Sequence, residues 1–173
     1  EVKNIIFQIQ SIKIKLINSP KIGRGKALNL GIKYSTGKFI AILDSDDLAH
    51  AQRIAKQINF IKKGYDIVST NFTTEIATFR KLNYIDEKTT YEEISKKQFI
   101  FRNPICHSSV LIDKEVLKNF LYNESRSNLF DYDLWITLKV NNKKFLKIKQ
   151  ILTYKRIHKS QLFENKKRFY YIY

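Results

Sequence analysis

The chain has 173 residues, 43% of them hydrophobic, with 32 Lys and Arg against 16 Asp and Glu and a net charge of +16. That is enough apolar material for one globular core and excludes a disordered tail, while no run approaches the roughly 20 apolar residues that cross a bilayer and no signal-peptide pattern opens the chain. A lone cysteine, Cys106, excludes a disulfide within the chain and fits a reducing compartment, and the excess of cations favours polyanionic partners.

Ile12, Ile14 and Leu16 alternate with Lys13 and Lys15, so 12–16 reads as a half-buried strand, followed by a loop over 18–25. Ala27, Leu28, Leu30 and Ile32 suit a short helix over 26–35, with Gly37 placed to end it. The run Phe39-Ile40-Ala41-Ile42-Leu43 is long enough for one buried strand and breaks into Asp44, Ser45, Asp46 and Asp47. Ile54, Ile58 and Ile61 recur at helical spacing over 49–63, with Gly64 as the stop, and 65–70 is again strand-like. This alternation predicts an α/β fold with a mostly parallel central sheet, flanking helices and ligands at the carboxyl ends of the strands.

Beyond it, 71–88 is less periodic, with short strands expected over 72–82. Thr90 followed by Glu93 reads as a capping box opening a helix to about Phe101. A strand over 108–112, short helices over 114–120 and 132–140, and a strand pair or one bent strand over 145–156 complete the pattern, before a basic, aromatic tail. There is no internal repeat and no linker, so one domain is expected over 1–173. The chain starts at Glu1 and holds no methionine, which suggests shortening at the amino end.

Three stretches carry the chemistry. The carboxylates of Asp44, Asp46 and Asp47 at a strand end repel one another unless a cation, a helix N-terminus or solvent relieves them, so the turn either binds a hard cation or is a solvated cap. Gly23-Arg24-Gly25-Lys26 sets two glycines and two cations at a helix N-terminus, a seat for an anion or an ordinary loop, and it is no Walker motif because Ala27 follows Lys26. Asp131 and Asp133 precede an apolar helix, where a carboxylate serves as cap or as general base. His107 and His158 lie at strand ends.

Taken in order, these residues resemble an inverting glycosyltransferase of family 2, of the GT-A type. The resemblance runs through G-x-x-x-A-L-N at Gly23 to Asn29, GKFIAILDSDD at Gly37 to Asp47, Arg53, N-P-x-x-H-x-S at Asn103 to Ser109, D-Y-D-L-W at Asp131 to Trp135 and an R-x-H element near His158. It departs at Lys21, Ala51 and Phe130, where the family commonly has Asn, Pro and an acidic residue, and the family's opening strand region is missing.

The resemblance implies a GT-A, Rossmann-like sheet and the following roles. Asp44 and Asp46 form the D-x-D that meets the donor ribose and Mn²⁺ or Mg²⁺, with Asp47 supporting the cluster and His158 as a further metal or diphosphate contact. Gly23, Lys26, Asn29 and Arg53 belong to the donor side. Asp131 is the catalytic base, and Asp133, Trp135 and His107 lie on the acceptor side. The implied donor is a nucleotide-diphosphate sugar, a UDP-sugar, and the acceptor is a glycan or lipid-linked hydroxyl used in building surface polysaccharide. A cytoplasmic location is expected, at the inner face of the membrane through peripheral contact with anionic lipid. An inactive remnant acting as a binding module is the other reading. A nucleic-acid-binding domain is disfavoured, since the cations are scattered, no zinc-finger or RNP-type motif occurs, and clustered aspartates repel phosphate.

Overall fold

The computed structural model describes residues 14–82 and 88–157. In chain order they form α1 (Arg24–Tyr34), β1 (Phe39–Ala41), β2 (Leu48–Ala49), α2 (Arg53–Ile61), β3 (Ile67–Thr73), α3 (Ile76–Lys81), β4 (Tyr91–Glu93), α4 (Lys96–Phe101), β5 (Leu111–Asp113), α5 (Phe130–Val140) and β6 (Phe145–Tyr154). Single 3₁₀ turns lie at His107–Ser109 and Val116–Lys118.

The six strands make one sheet in the order β1-β5-β3-β6-β2, with β4 also on β6. Strand alternation sorts its side chains to two cores. Ile67, Ile112 and Phe145 point to the face carrying Leu28 and Ile32 of α1, Phe99 of α4 and Leu134, Trp135 and Leu138 of α5. Their neighbours Val68, Leu111 and Leu146 point to the opposite face, against Phe60 and Ile61 of α2. This is the α/β sheet with flanking helices that the sequence predicts.

Its pairing corrects the expectation of a mostly parallel sheet. β1, β3 and β6 run the same way, but β5 is inserted antiparallel between β1 and β3, and β2 and β4 are antiparallel to β6. The crossover through α2 carries the chain from β1 past one vacant lane to β3, and that lane is later filled from the other direction. β6 is the bent strand, not a pair. Its register against β3 jumps between Thr70 and Asn71 and again between Asn71 and Phe72, while β4 holds its other edge near the start and β2 near the end.

Other expectations shift for local reasons. The capping box lies five residues later than expected: Tyr91–Glu93 is drawn into strand β4 by β6, and the Ser95 backbone N–H donates to Gln98 Oε1 (2.7 Å) to open α4. Residues 76–81, expected as strand, are helix α3, which buries Phe79. Residues 14–16 join no strand among the described residues and leave Ile14 and Leu16 exposed. β1 is half-buried, with β5 its one partner among the described residues. The buried stripe of α2 runs through Arg53, Gln57, Phe60 and Ile61, while Ile54 faces outward. No described helix is long and apolar enough to cross a membrane.

Candidate active site

The acidic turn hangs from the carboxyl end of β1, and the 3₁₀ turn behind it fixes its shape. Ile42 N–H donates to Val110 O (2.9 Å), Asp44 N–H to Ser108 Oγ (3.1 Å), and Asp47 N–H closes the turn on Asp44 O (3.1 Å). Beneath it, the guanidinium of Arg53, almost fully buried, donates to Ser108 O and to Ile42 O (3.2 Å). Arg53 therefore braces the two backbones that carry the turn. The next helix, α2, is capped at Gln52, so Asp44 does not cap it.

The three aspartates diverge. Asp44 receives Arg24 Nη2 at both oxygens (3.2 Å each) and faces His107 Nδ1 at 3.8 Å. The His107 imidazole and the Arg24 guanidinium, working against partial burial, hold the Asp44 carboxyl down at about 2. Asp47 is buried and accepts Arg156 N–H at Oδ1 (2.9 Å), tying the turn to the end of β6. Asp46 lies between them, half-buried. Among the described residues no three His, Cys, Asp or Glu side chains converge into a metal cage.

The facing wall is the start of α5. Leu129 takes a left-handed conformation (φ 53°) as its N-cap, so neither aspartate caps the helix. Both sit in the first turn, where the helix dipole favours negative charge. Asn103 Nδ2 donates to Asp131 Oδ2 (3.0 Å), and Asn103 Oδ1 accepts Ile105 N–H (3.1 Å), so the Asn-Pro turn orients the carboxylate. Asp133 is ion-paired with Arg126 (2.9 Å).

His107 and Tyr122 join the two walls. His107 Nε2 and the Tyr122 hydroxyl are 3.0 Å apart, and the imidazole packs against the rings of Tyr122, Phe130 and Trp135. Burial, with Asp131 and Asp44 adding their charges, pushes the Tyr122 phenol well up, so it stays protonated. Arg24 completes the link, its guanidinium 5.0 Å above the Phe130 ring. Beside this site a cavity of about 600 Å³ opens between α1 and β1, lined by Arg24, Leu28, Ile32, Ile40, Asp44 and Tyr122, among others, and by no residue of α5.

The remaining expected site residues fall in distinct places. Gly23, at φ 84°, is the N-cap of α1 and turns the chain into it. Asn29 is buried: it donates to Tyr122 O (2.9 Å) and Glu124 Oε1 (3.1 Å) and accepts Tyr122 N–H (3.0 Å), so its amide positions Tyr122. Lys26 is exposed and lines a different groove from Asp44. Trp135 is completely buried and packs against His107, so it offers no free surface to a ligand. His158 lies outside the described residues. The structure adds Arg24, Asn103 and Tyr122 to the candidate site; Arg24 and Asn103 belong to the Gly23–Asn29 and Asn103–Ser109 motifs, whereas nothing local in the sequence marks Tyr122.

Comparison with known proteins agrees with this architecture. The family model described as glycosyl transferase family 2 matches residues 2–121, which takes in the acidic turn and the His107 turn and stops before α5. An uncharacterised glycosyltransferase of Methanocaldococcus jannaschii is 33% identical over 144 residues, covering 81% of this chain and 49% of the relative. WfgD of Escherichia coli, named a UDP-Glc:alpha-D-GlcNAc-diphosphoundecaprenol beta-1,3-glucosyltransferase, is 29% identical over 171 residues, covering 93% of this chain and 62% of its own length. The chain thus spans about half to three-fifths of these two relatives. Among solved structures, Staphylococcus aureus TarS residues 1–349 with UDP-GlcNAc superposes with a TM-score of 0.66 at 15% identity, covering 96% of this chain and 49% of TarS, which shows a shared GT-A fold. By its family match, and with a fold to suit, the chain belongs to glycosyl transferase family 2.

Proposed function

We propose that this chain carries the active site of an inverting glycosyltransferase that moves a sugar from a nucleotide-diphosphate donor, a UDP-sugar, to a hydroxyl of a glycan or lipid-linked acceptor in surface polysaccharide synthesis. The observation that carries this reading is the placing of Asp131, oriented by Asn103, across the His107–Tyr122 bridge from Asp44. Support for the substrates comes from relatives: TarS was crystallised with UDP-GlcNAc and with UDP, and WfgD is named for a UDP-Glc donor and a diphosphoundecaprenol-linked acceptor.

In this reading Asn103 fixes one oxygen of Asp131, and the other takes the proton of the acceptor hydroxyl as that oxygen attacks the anomeric carbon from the face opposite the leaving diphosphate. Attack from that side inverts the configuration. Arg24 offers a cation to the cavity that would receive the donor, and the rings around His107 keep water from the back of the site.

Asp44 and Asp46, two apart and both partly open to solvent, suit a Mg²⁺ or Mn²⁺ ion held by one or two carboxylates and completed by substrate phosphates; they do not form a closed cage. Such an ion would supply Lewis-acid neutralisation of the departing diphosphate. A cytoplasmic site at the inner membrane face fits the lone Cys106 and the +16 charge.

The test pairs binding with turnover. Asp131→Asn should lower transfer by about 10²–10⁴-fold, the worth of a positioned base, and leave UDP binding by calorimetry unchanged. Normal transfer in that variant would overturn the assignment of Asp131. Asp46→Ala should abolish the Mn²⁺-dependent part of UDP binding. A wild-type chain that binds no UDP with or without Mn²⁺ would instead favour the binding-module reading.

A further inference from the structure

A second groove, of about 450 Å³, lies beside the first and shares Ile32 and Leu117 with it. One wall is α1, which contributes Lys26, Leu30 and Lys33. The other is the segment after β5, which contributes Lys114, Lys118 and Leu121. Lys26, Leu30 and Lys33 lie at helical spacings of four and three, so they share one face of α1, and the two lysines are about 10 Å apart along its axis. Leu121 is 51% exposed.

Four lysines thus line this groove together with the apolar Leu30, Ile32, Leu117 and Leu121, and a single carboxylate, Glu124, lines it with them. Glu124 already accepts the Asn29 amide (3.1 Å). Lys114 Nζ is anchored to Ser35 O (2.6 Å), which ties the two walls together, and Lys118 is paired with Glu115 (2.7 Å) on the exposed rim. A lining of apolar side chains and lysines suits lysine stems lying along hydrocarbon with their heads among phosphates. A neutral peptide ligand would leave those cations unmatched.

We infer that this face of α1 and the 114–121 segment is a docking surface for an anionic phospholipid bilayer. The surface adjoins the candidate active-site cavity through Ile32 and Leu117, but the inference does not depend on the catalytic reading. The occupant follows from charge complementarity: the chain carries +16 overall, and each lysine brought close to an anionic leaflet adds favourable attraction.

The experiment is co-sedimentation of the full chain with vesicles of phosphatidylcholine alone or of an equimolar mixture with phosphatidylglycerol. The groove variant Lys26→Glu/Lys33→Glu/Lys118→Glu is compared with Lys62→Glu/Lys81→Glu/Lys97→Glu, which makes the same change in net charge at exposed lysines outside the groove. Circular dichroism checks that both variants fold, and the matching Lys→Gln set repeats the comparison if a Glu variant does not. The expected result is binding to the anionic vesicles only, weakened at least about thirtyfold in the groove variant and much less in the control. Equal weakening of both variants would mean attraction by net charge alone and would overturn the inference. So would equal binding to neutral vesicles, or no binding to either.

Discussion

Asp44 shows how a local motif and its surroundings divide the work. The repulsion expected of three adjacent carboxylates is relieved by sending them to three places: Asp44 to Arg24 and His107, Asp47 to the backbone of Arg156, and Asp46 to the turn between. The folded Asp44 carboxyl sits near 2, below its ordinary 3.8, so the folded state holds the charged form more tightly than the unfolded chain does. Its contribution to stability is therefore complete above about pH 4 and disappears as the pH falls toward 2. Asp44→Asn should be less stable than wild type near neutral pH and should converge on it near pH 2, as read from urea unfolding at each pH. Cys106 moves the other way: burial pushes its thiol up to about 11 from 9.0. Labelling by a disulfide reagent at pH 8 should be about a hundredfold slower than for the same thiol in urea, because the thiolate is the reactive form.

At the scale of elements, two helices are held by features that hydrophobic periodicity does not show. α1 approaches the 122–124 segment so closely that a Cβ at Gly25 would stand 2.9 Å from Asn123 O, a backbone atom that cannot swing aside. Gly25→Ala should therefore destabilise the fold by about 1–3 kcal/mol, although Ala is the better helix former. Denaturant unfolding checks the sign, and a gain in stability would show that the loop yields. α2 is fixed by polar residues on its buried face. Gln57 Nε2 donates to Val68 O (2.6 Å) and Ser109 O (2.8 Å), joining the helix to β3 and to the 3₁₀ turn beside β5. Gln57→Leu keeps most of the volume and strands both carbonyls, so a loss of about 2 kcal/mol or more is expected by the same measurement. The isoleucine spacing predicted helix α2 correctly and its buried face only in part, because hydrogen bonds to backbone carbonyls of β3, of the 3₁₀ turn at His107–Ser109 and of Ile42 bring Arg53 and Gln57 inside.

For the molecule as a whole, the site is an extension of the core. Trp135 lies at 0% exposure between His107 and Phe145, so the imidazole that faces Asp44 rests on the ring that fills the centre of the sheet. Trp135→Ala should cost about 3–5 kcal/mol and loosen His107 with it, which chemical unfolding and the histidine's proton resonances would both report. The elements that meet there are far apart in the chain. The acidic turn at 44–47, the histidine turn at 107–109 and α5 at 130–140 are brought together because β5 is inserted beside β1 and α5 packs over the same face of the sheet.

What could be read from residue order follows from local physics. The alternation of strands and helices, the acidic break after β1, the glycine that starts α1 and the aspartates that open α5 are patterns within a dozen residues, set by side-chain period, turn chemistry and helix-end charge. The same order of motifs led to the family and the GT-A fold. Pairing did not follow from those patterns, because the antiparallel entry of β5, the pull of β6 on Tyr91–Glu93 and the extra residues of β6 at its register shifts against β3 depend on which edge is open when distant segments meet. The same holds for Arg24 on Asp44, Asn103 on Asp131 and Tyr122 between them. Each contact joins residues 20 or more apart in sequence or depends on a neighbour that is, and only packing across the sheet brings such groups within reach of one another.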